Sequence, residues 1–257
     1  MDELLYEVTG QIARVTLHRE AARNALSGPM VQAMIAALDR AEADPSVRCV
    51  VLTGAGSRVF CAGADLSTLQ ADGFLDAHES RRSFAQMLLR FQQLKKPTIA
   101  RVNGHALAGG VGLMLACDLA VAVDSAGVGV PEIDRGLFPM MVLALLQRHV
   151  GRKRALELLL TGDRLTATQA RDWGLVNRVV PANQLDSEVN TLAEKLAGKS
   201  LAVVALGRRS FFTAEDLPLS QALEFLVDQL SINVLAEDAM EGVTAFLEKR
   251  PPKWNDR

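Results

Sequence analysis

Apolar residues gather in short blocks through the first half of the chain and recur every three to four positions through its last third. Leu4 to Val8 and Ile12 to Leu17 read as two strands turning at Thr9-Gly10-Gln11, an opening hairpin. Ser27 stands where it can cap a helix with Pro29 in its first turn; Val31, Met34, Ile35 and Leu38 then repeat at helical spacing until Asp44-Pro45 stops them. Cys49 to Leu52 is an unbroken apolar run, as in a strand buried on both faces, and the loop Thr53 to Val59 follows. Phe84, Leu88, Phe91 and Leu94 make Phe74 to Leu94 a helix, and Pro97 opens a further strand, Thr98 to Val102. A small-residue segment around Gly109 leads into Leu113 to Cys117, and Leu119 to Val123 is strand-like again. Strands alternating with helices predict an α/β architecture joined by helical crossovers, although no residue-level repeat is visible.

Beyond Val180-Pro181 the strand signals cease. Leu185 to Leu196, Leu201 to Phe212, Leu219 to Leu235 and Ala239 to Leu247 all carry helical spacing. Stripes such as Leu223, Leu226, Val227 and Leu230 exceed what a lone hairpin of helices would cover, so they predict packing on the main body or on another subunit. The expected division is a core over 1–195 and a helical oligomerisation region over 196–257.

Composition narrows the partners more than the fold. The 257 residues are 49% hydrophobic and 23% charged, as in ordinary globular proteins. A net charge of -2 and the lack of a basic stripe with interleaved aromatics argue against nucleic acid, and any anion site must be local. The three cysteines, Cys49, Cys61 and Cys117, sit among apolar or small neighbours without metal or disulfide spacing, so they read as buried free thiols. Met1 to Glu7 carries no apolar run long enough for a leader or a membrane span, which predicts a cytoplasmic protein that does not enter membranes.

Three segments carry candidate chemistry. Phe60-Cys61-Ala62-Gly63-Ala64-Asp65-Leu66 is small enough to let a ligand approach its amides, though a tight turn after a buried strand uses the same residues. Val102 to Gly112 is a glycine-rich junction into a helix, whose first N–H groups lack backbone partners; glycines there also permit close helix packing. Two such segments in one chain can supply the two convergent donors that an oxyanion needs. Gly129 to Pro139 sets Glu132 between a proline and apolar residues, where burial would raise its pKa toward the range useful for proton transfer; pairing with Arg135 or capping a turn is the competing reading.

Asn24-Ala25-Leu26, Ala62-Gly63-Ala64-Asp65, Asn103-Gly104 to Gly110, Pro131-Glu132, and Leu160 to Arg164 with Gly174-Leu175-Val176 fall in order along nearly the whole chain. Together with the closing Ala245 to Arg250 they resemble the landmarks of the enoyl-CoA hydratase/isomerase (crotonase) family. The resemblance implies a crotonase-like spiral of ββα units, a helical carboxyl-terminal region that mediates trimers or hexamers, and an acyl-CoA thioester substrate in fatty-acid or related metabolism. It also implies roles. The Ala64 and Gly109 amides would form an oxyanion hole and Glu132 would be the catalytic acid/base. Ala22, Arg23 and the loop Ala62, Gly63, Ala64, Asp65 and Leu66 would line the coenzyme A nucleotide, with Phe246 and Lys249 helping from the last helix. No metal or redox cofactor is implied; coenzyme A enters only as part of the substrate.

The sequence departs from the family pattern at Gly112, which stands where hydratases carry their first catalytic glutamate. A lone Glu132 favours double-bond isomerisation over efficient hydration, because one carboxylate can move a proton between two carbons. Met140 and Met141, at positions where hydratases often carry glycines, imply a reshaped acyl pocket; the extra aspartate of the dienoyl-isomerase branch would also fall at Met140. Substitute acids to weigh are Asp134, placed two residues along an extended strand from Glu132, and Asp72, Asp76 and Glu79 in the covering segment. His105, with no evident partner, His78 and Trp173 take no role. The alternatives are a hydratase using a substitute acid and a non-catalytic acyl-CoA-binding protein.

Overall fold

The computed structural model describes residues 2–65 and 73–257. The hairpin is β1 (Leu4–Thr9) against β2 (Ile12–Leu17), with Thr9 paired to Ile12 so that the turn is Gly10-Gln11 alone. Alternate residues of β2, Ala13, Val15 and Leu17, are fully buried, which fixes the register of the hairpin on the core. Helix α1 (Gly28–Ala43) starts where Ser27 Oγ accepts the Met30 N–H at 3.1 Å and ends at Asp44, before Pro45.

The body then repeats one unit three times: a buried strand, a short second strand, and a returning helix. The units are β3 (Cys49–Gly54), β4 (Val59–Cys61) and α2 (Phe74–Gln93); β5 (Thr98–Val102), β6 (His105–Leu107) and α3 (Gly109–Ala116); and β7 (Leu119–Val123), β8 (Gly127–Gly129) and α4 (Met140–His149). Helix α5 (Arg152–Thr161), β9 (Arg164–Thr166), α6 (Ala167–Trp173), β10 (Arg178–Val180) and α7 (Leu185–Ala197) complete the body. First strands join a six-stranded sheet in the order β1-β2-β3-β5-β7-β10, and second strands a four-stranded sheet in the order β4-β6-β8-β9. Every pairing is parallel except β1 with β2 and β8 with β9. This is the spiral of ββα units, in the α/β class, that the resemblance implies.

Elements follow the apolar pattern wherever they are long. Helix α3 is buried on all sides, so it carries no amphipathic stripe; its composition rather than its period betrays it. Helix α7 covers the six-stranded sheet with Leu185, Val189, Leu192 and Ala193. After it, α8 (Leu201–Glu215), α9 (Leu219–Asn233) and α10 (Glu237–Leu247) bury little: Ser210 in α8, Ala222 in α9, and Asp238 and Ala245 in α10. The tail 251–257 returns to anchor them. Buried Asp238 accepts from Ser200 Oγ at 2.5 Å and from the Asn255 and Asp256 amides at 2.7 and 3.0 Å, while Asp256 pairs with Arg48 on the body. No helix among the described residues is long and apolar enough to cross a membrane.

Candidate active site

Two loops meet where β4 and β6 end side by side. The first is braced by two buried asparagines. Asn24 Nδ2 donates to the Ala55 and Val59 carbonyls at 3.0 and 2.8 Å, and Asn103 accepts the Gly54 N–H at 3.0 Å while donating to Gly56 O at 2.9 Å. The chain then passes Ala62, whose N–H donates to Arg23 O, and Gly63, whose carbonyl accepts from Leu26 N–H; the Asp65 N–H returns a bond to Leu26 O. Arg23 and Asn24 both hold φ near +55°, a left-handed bend available at some cost to non-glycine residues. The bend thereby brings Ala22 and Arg23 beside the Ala62 to Asp65 loop.

The second loop is the start of α3. Ala108 takes φ 54° and ψ −129°, a region costing an alanine about 1–3 kcal/mol, and is held there by its N–H bond to Gly129 O at 2.9 Å. Gly63 lies directly against it with φ 92°: a methyl there would stand 2.5 Å from Ala108 Cβ and 2.9 Å from the Gly109 nitrogen. Conversely, a methyl on Gly109 would stand 3.6 Å from the Ala64 nitrogen. The Ala64 and Gly109 amides therefore lie close together where the two loops meet. Among the described residues neither N–H donates to a protein acceptor, and Gly109 stands at the helix N-terminus, where the aligned peptide dipoles favour negative charge.

Glu132 follows three residues after Gly129, the partner of Ala108, so the chain keeps its Cα within about 10 Å of that contact. It lies on a 3₁₀ turn, Pro131–Arg135, not on the extended strand expected from sequence. Pro131 at the head of the turn and the left-handed Gly136 behind it favour this tighter path. The consequence for Asp134 is direct. Its carboxylate lies against Gly162 behind α5, 3.2–3.3 Å from where a β-carbon would stand, and is exposed. Arg135 donates to Pro131 O at 2.9 Å instead of closing an ion pair with either acid. Burial raises the Glu132 pKa, its own backbone N–H and the Arg135 charge opposing weakly, and among the described residues no donor reaches the enclosed Oε2.

The other candidates divide. Asp65 spends its carboxylate on Arg19 at 2.9 Å. Leu66 and Asp72 lie outside the described residues. Asp76 and Glu79 are exposed on α2, and Glu79 faces Arg82. Met140 is exposed while Met141 packs on the core. Phe246 is 82% exposed on α10, and among the described residues no hydrogen bond or ion pair links it or Lys249 to the two loops. His105, expected to lack a partner, accepts the Gly127 N–H on Nδ1 at 2.8 Å, a cross-strand bond between β6 and β8. The thiols are inert: burial pushes Cys49 and Cys61 up to about 12 and Cys117 further.

Sequence reasoning missed the surroundings of Gly112. A β-carbon built there would meet Val142 Cγ2 at 3.1 Å and both Leu88 methyls at 3.9 Å, so its nearest neighbours are hydrocarbon. The only signal was the Phe84–Leu88 spacing, which any core-facing helix would show.

A model of the enoyl-CoA hydratase/isomerase family matches residues 7–257. The chain belongs to that family of enzymes. It is 39% identical to enoyl-CoA hydratase EchA19 of Mycobacterium tuberculosis over 262 residues, covering 99% of this chain and 97% of the relative. A mitochondrial enoyl-CoA hydratase of Pongo abelii is 35% identical across 96% of this chain and 84% of its own length. Among solved structures, an enoyl-CoA hydratase from Bacillus anthracis superposes with a TM-score of 0.94 at 31% identity, covering 99% of this chain and 100% of that one.

Proposed function

We propose that the chain moves a double bond within an acyl-CoA thioester, with Glu132 as the acid/base and the Ala64 and Gly109 amides as the oxyanion hole. Glu132 takes a proton from the carbon beside the carbonyl of a 3-enoyl thioester. The electron pair delocalises onto the carbonyl oxygen, between the two N–H groups, and onto the far carbon of the former double bond. Returning the proton to that carbon gives the 2-enoyl product and restores the carboxylate. A raised pKa suits a group that must both take and give a proton.

The observation that carries this reading over hydration is the wall at Gly112. Val142 Cγ2 and the Leu88 methyls, the atoms nearest to a β-carbon at Gly112, are hydrocarbon and cannot hold a water. Hydration is the second reading, favoured by the names of the relatives, which are enoyl-CoA hydratases. Offering the protein a 2-enoyl-CoA and a 3-enoyl-CoA separates them: isomerisation predicts interconversion without a 3-hydroxyacyl product, and accumulation of that product overturns it. Full turnover by Glu132→Gln would remove the acid/base role. Tight binding without exchange of the α-proton in deuterated buffer would make the chain an acyl-CoA binder.

In the same reading Ala22, Arg23 and the loop from Ala62 hold the nucleotide end of coenzyme A, with Phe246 and Lys249 contributing from α10. No metal or redox cofactor takes part. The outward apolar face of α9 serves a trimer or hexamer, and the bacterial relatives support a cytoplasmic setting.

A further inference from the structure

Phe84 and Leu88 are four residues apart on α2, and they face Gly109 and Gly112, three apart on α3. One row of α2 side chains thus runs along the glycine row of α3. A β-carbon built on Gly109 would touch Phe84 Cζ at 3.4 Å while standing 3.6 Å from the Ala64 nitrogen and 3.5 Å from Gly63 Cα. The tip of the Phe84 ring therefore stands, on the α2 side, beside the place where the Ala64 and Gly109 amides come together. The ring is partly buried and packed against the core, so it has little room to retreat.

We propose that Phe84 sets substrate shape at the carbon beside the thioester carbonyl, admitting straight acyl chains and rejecting chains branched at that carbon. The inference rests on the acyl-CoA reading above. An oxygen held by both amides places the carbonyl carbon and its neighbour beside the ring tip. A straight chain presents a single methylene or methine there. A branch adds a methyl where the ring already stands in van der Waals contact. Leu88 and Val142 line the next part of the wall, so the selectivity belongs to Phe84 and not to α2 as a whole. One methyl misplaced in an apolar pocket changes affinity or specificity by about 10- to 200-fold.

Calorimetric titration of butyryl-CoA and 2-methylbutyryl-CoA into the wild type, Phe84→Ala and Phe84→Leu tests this. The wild type is expected to prefer the straight chain by at least about tenfold. Phe84→Ala should bring the two affinities within about threefold, chiefly by gaining the branched ligand, with affinity for coenzyme A itself unchanged. Phe84→Leu, which preserves packing if the alanine variant unfolds, should fall between. Thioesters that bind with the same ratio in a folded variant as in the wild type overturn the role of Phe84 alone. A wild type that binds neither thioester overturns the acyl-CoA reading and this inference with it.

Discussion

At residue 63 the backbone leaves no alternative to glycine, because a β-carbon would meet both a strained φ and the Ala108 methyl on the opposite loop. Gly63→Ala is expected to push the Ala64 and Gly109 amides apart, lowering turnover about 10²–10³-fold. Its stability should fall by about 1–3 kcal/mol, read by urea denaturation. A variant with normal turnover would mean that the spacing of these amides does not matter. Glu132 makes a prediction of opposite sign. Its folded pKa lies above the ordinary 4.5, so folding disfavours its ionised form. The penalty is present above the folded pKa and disappears as the pH falls through it. Glu132→Gln should therefore raise Tm at about pH 8 and lose that advantage near pH 4, while abolishing proton transfer. Calorimetry at both values measures it; equal Tm differences at the two would contradict a buried charge.

Elements of the chain differ in how much of their stability they carry alone. Helices α8 to α10 bury few side chains and depend on the returning tail, with Asp238 receiving three donors from Ser200, Asn255 and Asp256. Asp238→Ala leaves those donors without their acceptor, and should cost about 3 kcal/mol while freeing the tail to proteolysis. Persistence of tail protection in that variant would place the anchor elsewhere, at Arg48–Asp256 or at Trp254 Nε1 on Gly198 O. Legibility also varied by element. The hairpin, α1, α2 and β3 were readable because each is long enough to show a period or an unbroken apolar run. The second sheet was not: β4, β6, β8 and β9 have three residues each, too few for alternation, and only the resemblance implied them. Helices α4, α5 and α6 likewise went unread between the landmarks.

As a whole molecule, the chain turns an unusual face outward. Leu219, Leu223, Val227 and Leu230 of α9 are exposed, whereas Gln229 and Asn233 have enclosed carbonyl oxygens without a donor among the described residues. An apolar surface of this kind is expected to be covered by another copy. Val227→Glu together with Leu230→Glu should leave the folded body intact, since both residues are more than 60% exposed, and should lower the mass measured by light scattering. An unchanged mass would assign assembly to another surface.

The sequence by itself determined the family and the order of the longer elements, and it marked Ala64, Gly109 and Glu132 as candidates, because glycines, a proline and apolar runs act locally. It also showed that Gly112 lacks a carboxylate. Only the tertiary structure decided what stands there instead, since Leu88 and Val142 come from helices distant in the chain. The same holds for Asp134, turned away by a 3₁₀ turn, and for Phe84, whose ring stands beside the two amides only because α2 packs on the glycines of α3. Such contacts depend on where elements meet in space, and no local pattern records that.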